Sequence, residues 1–82
     1  MAEKSGISIK GKSNGTTAYQ DKNGRFYYSV LIIVPGSEQN IRVGLDAKTD
    51  PSKYEQGVDV GMEIMPRFFQ GKFTGFHELK NN

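Results

Sequence analysis

Asn23-Gly24-Arg25-Phe26-Tyr27-Tyr28-Ser29-Val30-Leu31-Ile32-Ile33-Val34 is the stretch on which the fold turns. Asn-Gly is the strongest short hairpin signal, because both residues tolerate positive φ. The longest β-branched and aromatic segment of the chain follows it. At period two, Phe26, Tyr28, Val30, Ile32 and Val34 share one face, which is expected to be core. The opposite face carries Arg25, Tyr27, Ser29, Leu31 and Ile33. It starts basic and aromatic beside the turn and then becomes apolar. Such a face can hold a phosphate and stack a base, or it can pack on a second chain.

Working outward, Gly6 to Lys12 alternates cleanly, with Ile7 and Ile9 inward, and reads as a strand. Ser13-Asn14-Gly15 is a turn cluster. Thr16 to Gln20 is a short, polar strand that leads through Asp21-Lys22-Asn23-Gly24 into the long one. Little in it would form a core, so this hairpin is expected to project as a wing. On the other side, Pro35-Gly36 ends the long strand. Ile41 to Leu45 is a brief strand, and Asp50 caps at most a single turn starting at Pro51. Val58 to Phe69 is the second long strand, with Val58, Val60, Met62 and Ile64 inward. Pro66 belongs at an edge or a bulge, and either Phe68 or Phe69 should be core. Gln70-Gly71 turns into the return strand Lys72–Leu79. About five strands and no convincing helix imply one all-β domain over residues 1–82. The expected form is a small five-stranded antiparallel Greek-key barrel of the OB type with projecting hairpins. An SH3-like barrel is the competitor. Residues 1–5 and 80–82 are expected to be flexible.

The chain has 82 residues and no cysteine, so neither disulfides nor a thiolate metal site can supplement a small core. The longest apolar run, Val30–Val34, is far short of a membrane span, and the first residues lack the apolar stretch of a signal peptide. A cytoplasmic protein is expected, with self-association as a source of further burial. The net charge is only +2, but it is unevenly spread. Cations exceed acids in residues 1–34 and 66–82, and acids exceed cations in between. The aromatics divide the same way, with Tyr54 alone in the acidic middle. Basic and aromatic residues interleaved at both ends are what a single-stranded nucleic acid site needs, stacking platforms within a positive groove.

The order Gly24-Arg25-Phe26-Tyr27, then Ile41-Arg42-Val43-Gly44-Leu45-Asp46, then Tyr54-Glu55-Gln56-Gly57, then Gly71-Lys72-Phe73 resembles the filamentous-phage helix-destabilising proteins, the gene-five type of single-stranded-DNA-binding protein. The likeness covers roughly residues 15–80 in order and spacing. It implies a homodimeric OB-fold that coats single-stranded DNA cooperatively, without sequence preference, in phage or plasmid replication in a bacterial cytoplasm. Carried over by position, Arg25 would contact phosphate, Tyr27 would stack on a base, and Phe73 would reach into a groove formed with the partner subunit. Phe26 departs from the family, which usually has proline there. The wing also offers Lys10, Lys12 and Lys22 in place of a row of arginines.

The residues expected to bind nucleic acid are Tyr27, Phe73, Arg25, Tyr19, Lys10, Lys12, Lys22, Arg67 and Lys72. RNA is a second possible ligand. No catalytic constellation is legible, and no cofactor, metal, membrane or small-molecule substrate is expected. His77, the single histidine, has no partner at ligand spacing and reads as a strand residue without chemistry. The alternative function is a protein-interaction barrel that uses Leu31, Ile33 and exposed rings as an apolar contact surface.

Overall fold

In the computed structural model, residues 7–79 are described. The expectations for residues 1–5, Gly6 and 80–82 lie outside them. The strands are β1 (Ile7–Gln20), β2 (Phe26–Ile33), β3 (Asn40–Gly44), β4 (Asp59–Phe69) and β5 (Lys72–Glu78). A 3₁₀ turn, Pro51–Tyr54, lies between β3 and β4. The strands close a barrel in the order β1-β2-β3-β5-β4, with β4 returning to β1. The small all-β barrel is as expected, but its antiparallel character needs amendment. A closed ring with an odd number of strands cannot alternate direction throughout. The parallel pair falls between β3 and β5, where Val43 pairs with Phe76 and Gly44 with His77.

The core consists of Ile9, Val30, Ile32, Val43, Leu45, Val60 and Ile64, with Val34, Ile41, Tyr54, Met62 and Phe76 packed around it. Each fully buried aliphatic side chain contributes about 1.5–3 kcal/mol, so this small set must be used without gaps. Asp50 caps the 3₁₀ turn, and its Oδ1 accepts from the Ser52 amide at 3.0 Å. Tyr54 is thereby set against the core. Burial, with the Glu78 charge adding to it, raises the Tyr54 phenol above its ordinary pKa. Glu78 Oε1 also accepts from the Asp46 amide at 3.0 Å and from Thr49 Oγ1 at 2.7 Å. These bonds tie the segment after β3 to β5.

Ser13-Asn14-Gly15 is not a turn. It is a bulge within one continuous β1, where the register against β2 shifts between Ser13 and Thr16. Gly15 has φ +99°. The same turn-forming residues that can reverse a chain can also absorb one extra residue in a strand. Ser13 is buried here. Its amide donates to the Val58 carbonyl and its carbonyl accepts from the Gly57 amide, both at 2.8 Å. Its hydroxyl donates to the Tyr54 carbonyl at 2.6 Å. Beyond this suture β1 leaves β4 and continues with β2 alone. Pro66 pairs with Phe76 in the β4–β5 ladder, just before the ladder's register shift between Arg67 and Phe68. Among the described residues the β1–β4 ladder runs from Ile7–Ile64 to Lys12–Asp59.

Parity misjudges several residues. Phe26 and Tyr28 are exposed, because β2 overshoots the barrel and only Gln20 and Ala18, neither large enough to cover a ring, oppose them across the wing. Ile7, at the start of β1, and Val58, just before β4, are also exposed. Phe68 and Phe69 are both exposed, since the hairpin has left the barrel by that point. The radius of gyration, 13.0 Å, exceeds the roughly 12 Å of a compact chain of this length, as two projecting arms require.

Candidate nucleic-acid interface

The wing is built on Asp21. Its amide donates to the Arg25 carbonyl at 3.0 Å, and its carbonyl accepts from the Gly24 amide at 3.1 Å. Its Oδ1 accepts from the amides of Asn23 at 2.9 Å and Arg25 at 3.0 Å. Only Gly24 has positive φ in this turn, at +85°. The geometry is therefore a type I turn followed by a left-handed glycine, and not the mirror-image turn that Asn-Gly most often makes. Asp21 Oδ2 accepts from the Tyr27 hydroxyl at 3.2 Å. The Arg25 amide first, then the Asn23 amide, the Tyr27 hydroxyl and the Arg25 charge, hold the Asp21 carboxyl below its ordinary range.

This frame displays rings on both faces of the hairpin. Tyr19 lies directly opposite Tyr27 across the ladder, and their rings are 6.4 Å apart and inclined by 29°. Phe26 and Tyr28, two residues apart on the other face, have ring centroids 6.4 Å apart and planes inclined by 20°. Of four tyrosines and five phenylalanines in the chain, only Tyr54 and Phe76 escape the exposed class. Large apolar rings held in water are unusual in a chain that needs every buried group it can recruit.

A groove of about 700 Å³ runs beside the wing. Arg25 lines it from the end of the wing turn, Phe26, Tyr27 and Tyr28 from β2, Leu45 to Ala47 with Thr49 and Pro51 from the segment after β3, and Arg67 and His77 from β4 and β5. Its volume falls in the range of sites that hold small organic groups. Gly44 opens the approach to it: a Cβ there would stand 3.0 Å from His77 Cδ2. Arg67 Nη2 lies 3.2 Å from His77 Nδ1.

At the far end of the β4–β5 hairpin, Phe73 is 55% exposed. It meets Phe68 at 6.0 Å and Phe76 at 5.3 Å, edge to face in both cases. Phe76 packs on the core, so a line of rings runs from the barrel interior out to the tip.

The structure gathers three of the residues expected to bind nucleic acid, Arg25, Tyr27 and Arg67, around one groove. Tyr19 joins them through Tyr27, and Lys22 sits in the wing turn. Phe73 and Lys72 stand at the other hairpin and do not line the groove. Lys10 lies opposite Gly61 on the β1–β4 surface. Lys12 on that surface bonds Asp59 at 2.7 Å, and that bond and charge lower the Asp59 pKa. Among the lining residues that the sequence analysis did not assign to the site, three carry rings: Phe26, Tyr28 and His77. The signal for the first two was present: Thr16 to Gln20, their cross-strand partners, contain nothing that could bury a ring.

Among the described residues no helix is long and apolar enough to cross a membrane. Nor does any group of three or more His, Asp or Glu among them have the arrangement to hold a metal ion. Compared with family models, with curated proteins and with solved structures, the chain finds no match.

Proposed function

We propose that this chain binds single-stranded DNA without sequence preference, by neutralising phosphates and stacking bases. In this reading it acts as a homodimeric, helix-destabilising protein of the gene-five type in phage or plasmid replication. The observation that carries the proposal is the wing: four rings held in solvent, with Arg25 and Arg67 bordering the adjoining groove. Stacking on exposed rings is indifferent to base identity, and arginines track the backbone. The three exposed phenylalanines of the β4–β5 tip support self-association, because a second copy would cover them.

Titration of a labelled oligothymidylate and of a duplex of equal length tests the proposal. The single strand should bind more tightly. With Arg25, Arg67 and Lys22 engaged, the logarithm of its affinity should fall with the logarithm of salt at a slope of about −2. Equal binding to both, or none, ends the proposal. Binding of a protein partner that does not respond to salt would favour the interaction barrel.

A further inference from the structure

His77 Nδ1 faces two partners that make opposite demands. The Glu78 carbonyl oxygen, an acceptor, lies 3.0 Å away. Arg67 Nη2, a donor, lies 3.2 Å away. A ring nitrogen either carries a proton or offers a lone pair, so one of the two contacts goes unmet in each neutral tautomer. The ring cannot retreat from them freely, since it lies over Gly44.

We propose that Arg67 and His77 together form a phosphodiester subsite of the groove, and that protonation of His77 strengthens it. The inference rests on the single-strand reading above. In the neutral ring with hydrogen on Nε2, Nδ1 accepts from Arg67 and holds the guanidinium against the barrel. In the cation, Nδ1–H donates to the Glu78 carbonyl and Arg67 is released toward the groove. Nε2–H then adds a second charged donor. A phosphate oxygen accepts from both, and this removes the conflict that the free protein carries.

The charged and titratable groups around the ring allow this assignment. From the wing turn the groove receives Arg25, from β2 Tyr27 and Tyr28, and from the segment after β3 Asp46. Arg42 lies on β3, two residues before Gly44. On β4, Met65 is the ladder partner of His77, with Arg67 and Glu63 on either side of it. On β5, Glu78 has its carboxylate engaged by Asp46 and Thr49. Imidazole is the side-chain type that takes up a proton between about pH 8 and 6, and this sets the interval of the test.

Oligothymidylate affinity is measured at pH 8 and pH 6 at fixed low salt for the unaltered chain and for His77→Gln. The imidazole ¹⁵N signals of the unaltered protein are followed in parallel, free and saturated. The expected result is a rise of roughly threefold to tenfold on acidification that His77→Gln abolishes. The ring nitrogens should move from the neutral toward the cationic pattern on binding. Tight binding that is equal at both pH values, or equally pH-dependent in the variant, overturns the subsite and leaves the single-strand reading standing. Unmoved ring signals at saturation do the same. No binding at either pH removes both.

Discussion

The two hairpins that leave the barrel solve the same turn problem in different ways. The wing uses a type I turn with one left-handed glycine and spreads the load over Asp21, which accepts two amides and the Tyr27 hydroxyl. The β4–β5 hairpin uses a two-residue reversal with Gln70 at φ +53° and Gly71 at +81°. A mirror-image turn favours Asn-Gly, so Gln70 holds a left-handed conformation that its side chain disfavours. The rings differ as well. On the wing they lie near parallel and belong to surface residues, whereas at the tip they stand edge to face and lead back to Phe76 in the core. The lesson is that exposure alone does not separate a ligand platform from an outward extension of the core. What a ring touches behind it does.

That contrast can be broken most forcefully at Tyr27. Tyr27→Ala should weaken oligothymidylate binding by about 1–3 kcal/mol while leaving the melting temperature nearly unchanged. A variant that unfolds instead would make Tyr27 a structural residue and erase the difference between the hairpins. Phe73→Ala should show the reverse, a loss of about 1 kcal/mol of stability from two ring contacts, read by urea denaturation. Strand affinity per folded molecule should hold, unless a partner subunit brings Phe73 to its groove. Gln70→Asn sharpens the comparison with a smaller effect. It should raise stability by about 0.5 kcal/mol, because asparagine accepts the left-handed conformation more readily. The smallest effect concerns acid. The Asp21 carboxyl is lowered in the folded state. The stability it contributes is present above its unfolded pKa and is lost as pH falls through the folded value. The protection of the Asn23 and Arg25 amides, relative to the exchange of an unstructured chain at the same pH, should therefore fall below about pH 4, and Asp21→Asn should remove most of that response.

Much of this was legible without coordinates. The alternation of Val30 and Ile32 and the cap at Asp50 each have a local cause, and the structure places each as its cause demands. The candidate site was legible in part, since Arg25 and Tyr27 declare themselves beside a turn while Arg67 is far away in sequence. The failures share a different origin. Phe26 and Tyr28 obey the parity of β2, but whether parity means burial depends on how far the barrel reaches. Ser13–Gly15 carries turn chemistry, and whether it reverses the chain or bulges depends on a buried partner, the carbonyl of Tyr54, 41 residues away. His77 looked inert because its partners are Arg67, a carbonyl and a glycine on another strand. None of these is visible in a spacing rule.

The parallel join between β3 and β5 comprises two residue pairs, against six between β1 and β4. It is the thinnest fastening in the ring, and the groove lies across it, with Leu45 and Asp46 on one bank and His77 and Arg67 on the other. Any occupant gripping both banks acts as a staple. The amides of β3 and β5 should open first in the empty barrel and gain the most protection when it is filled.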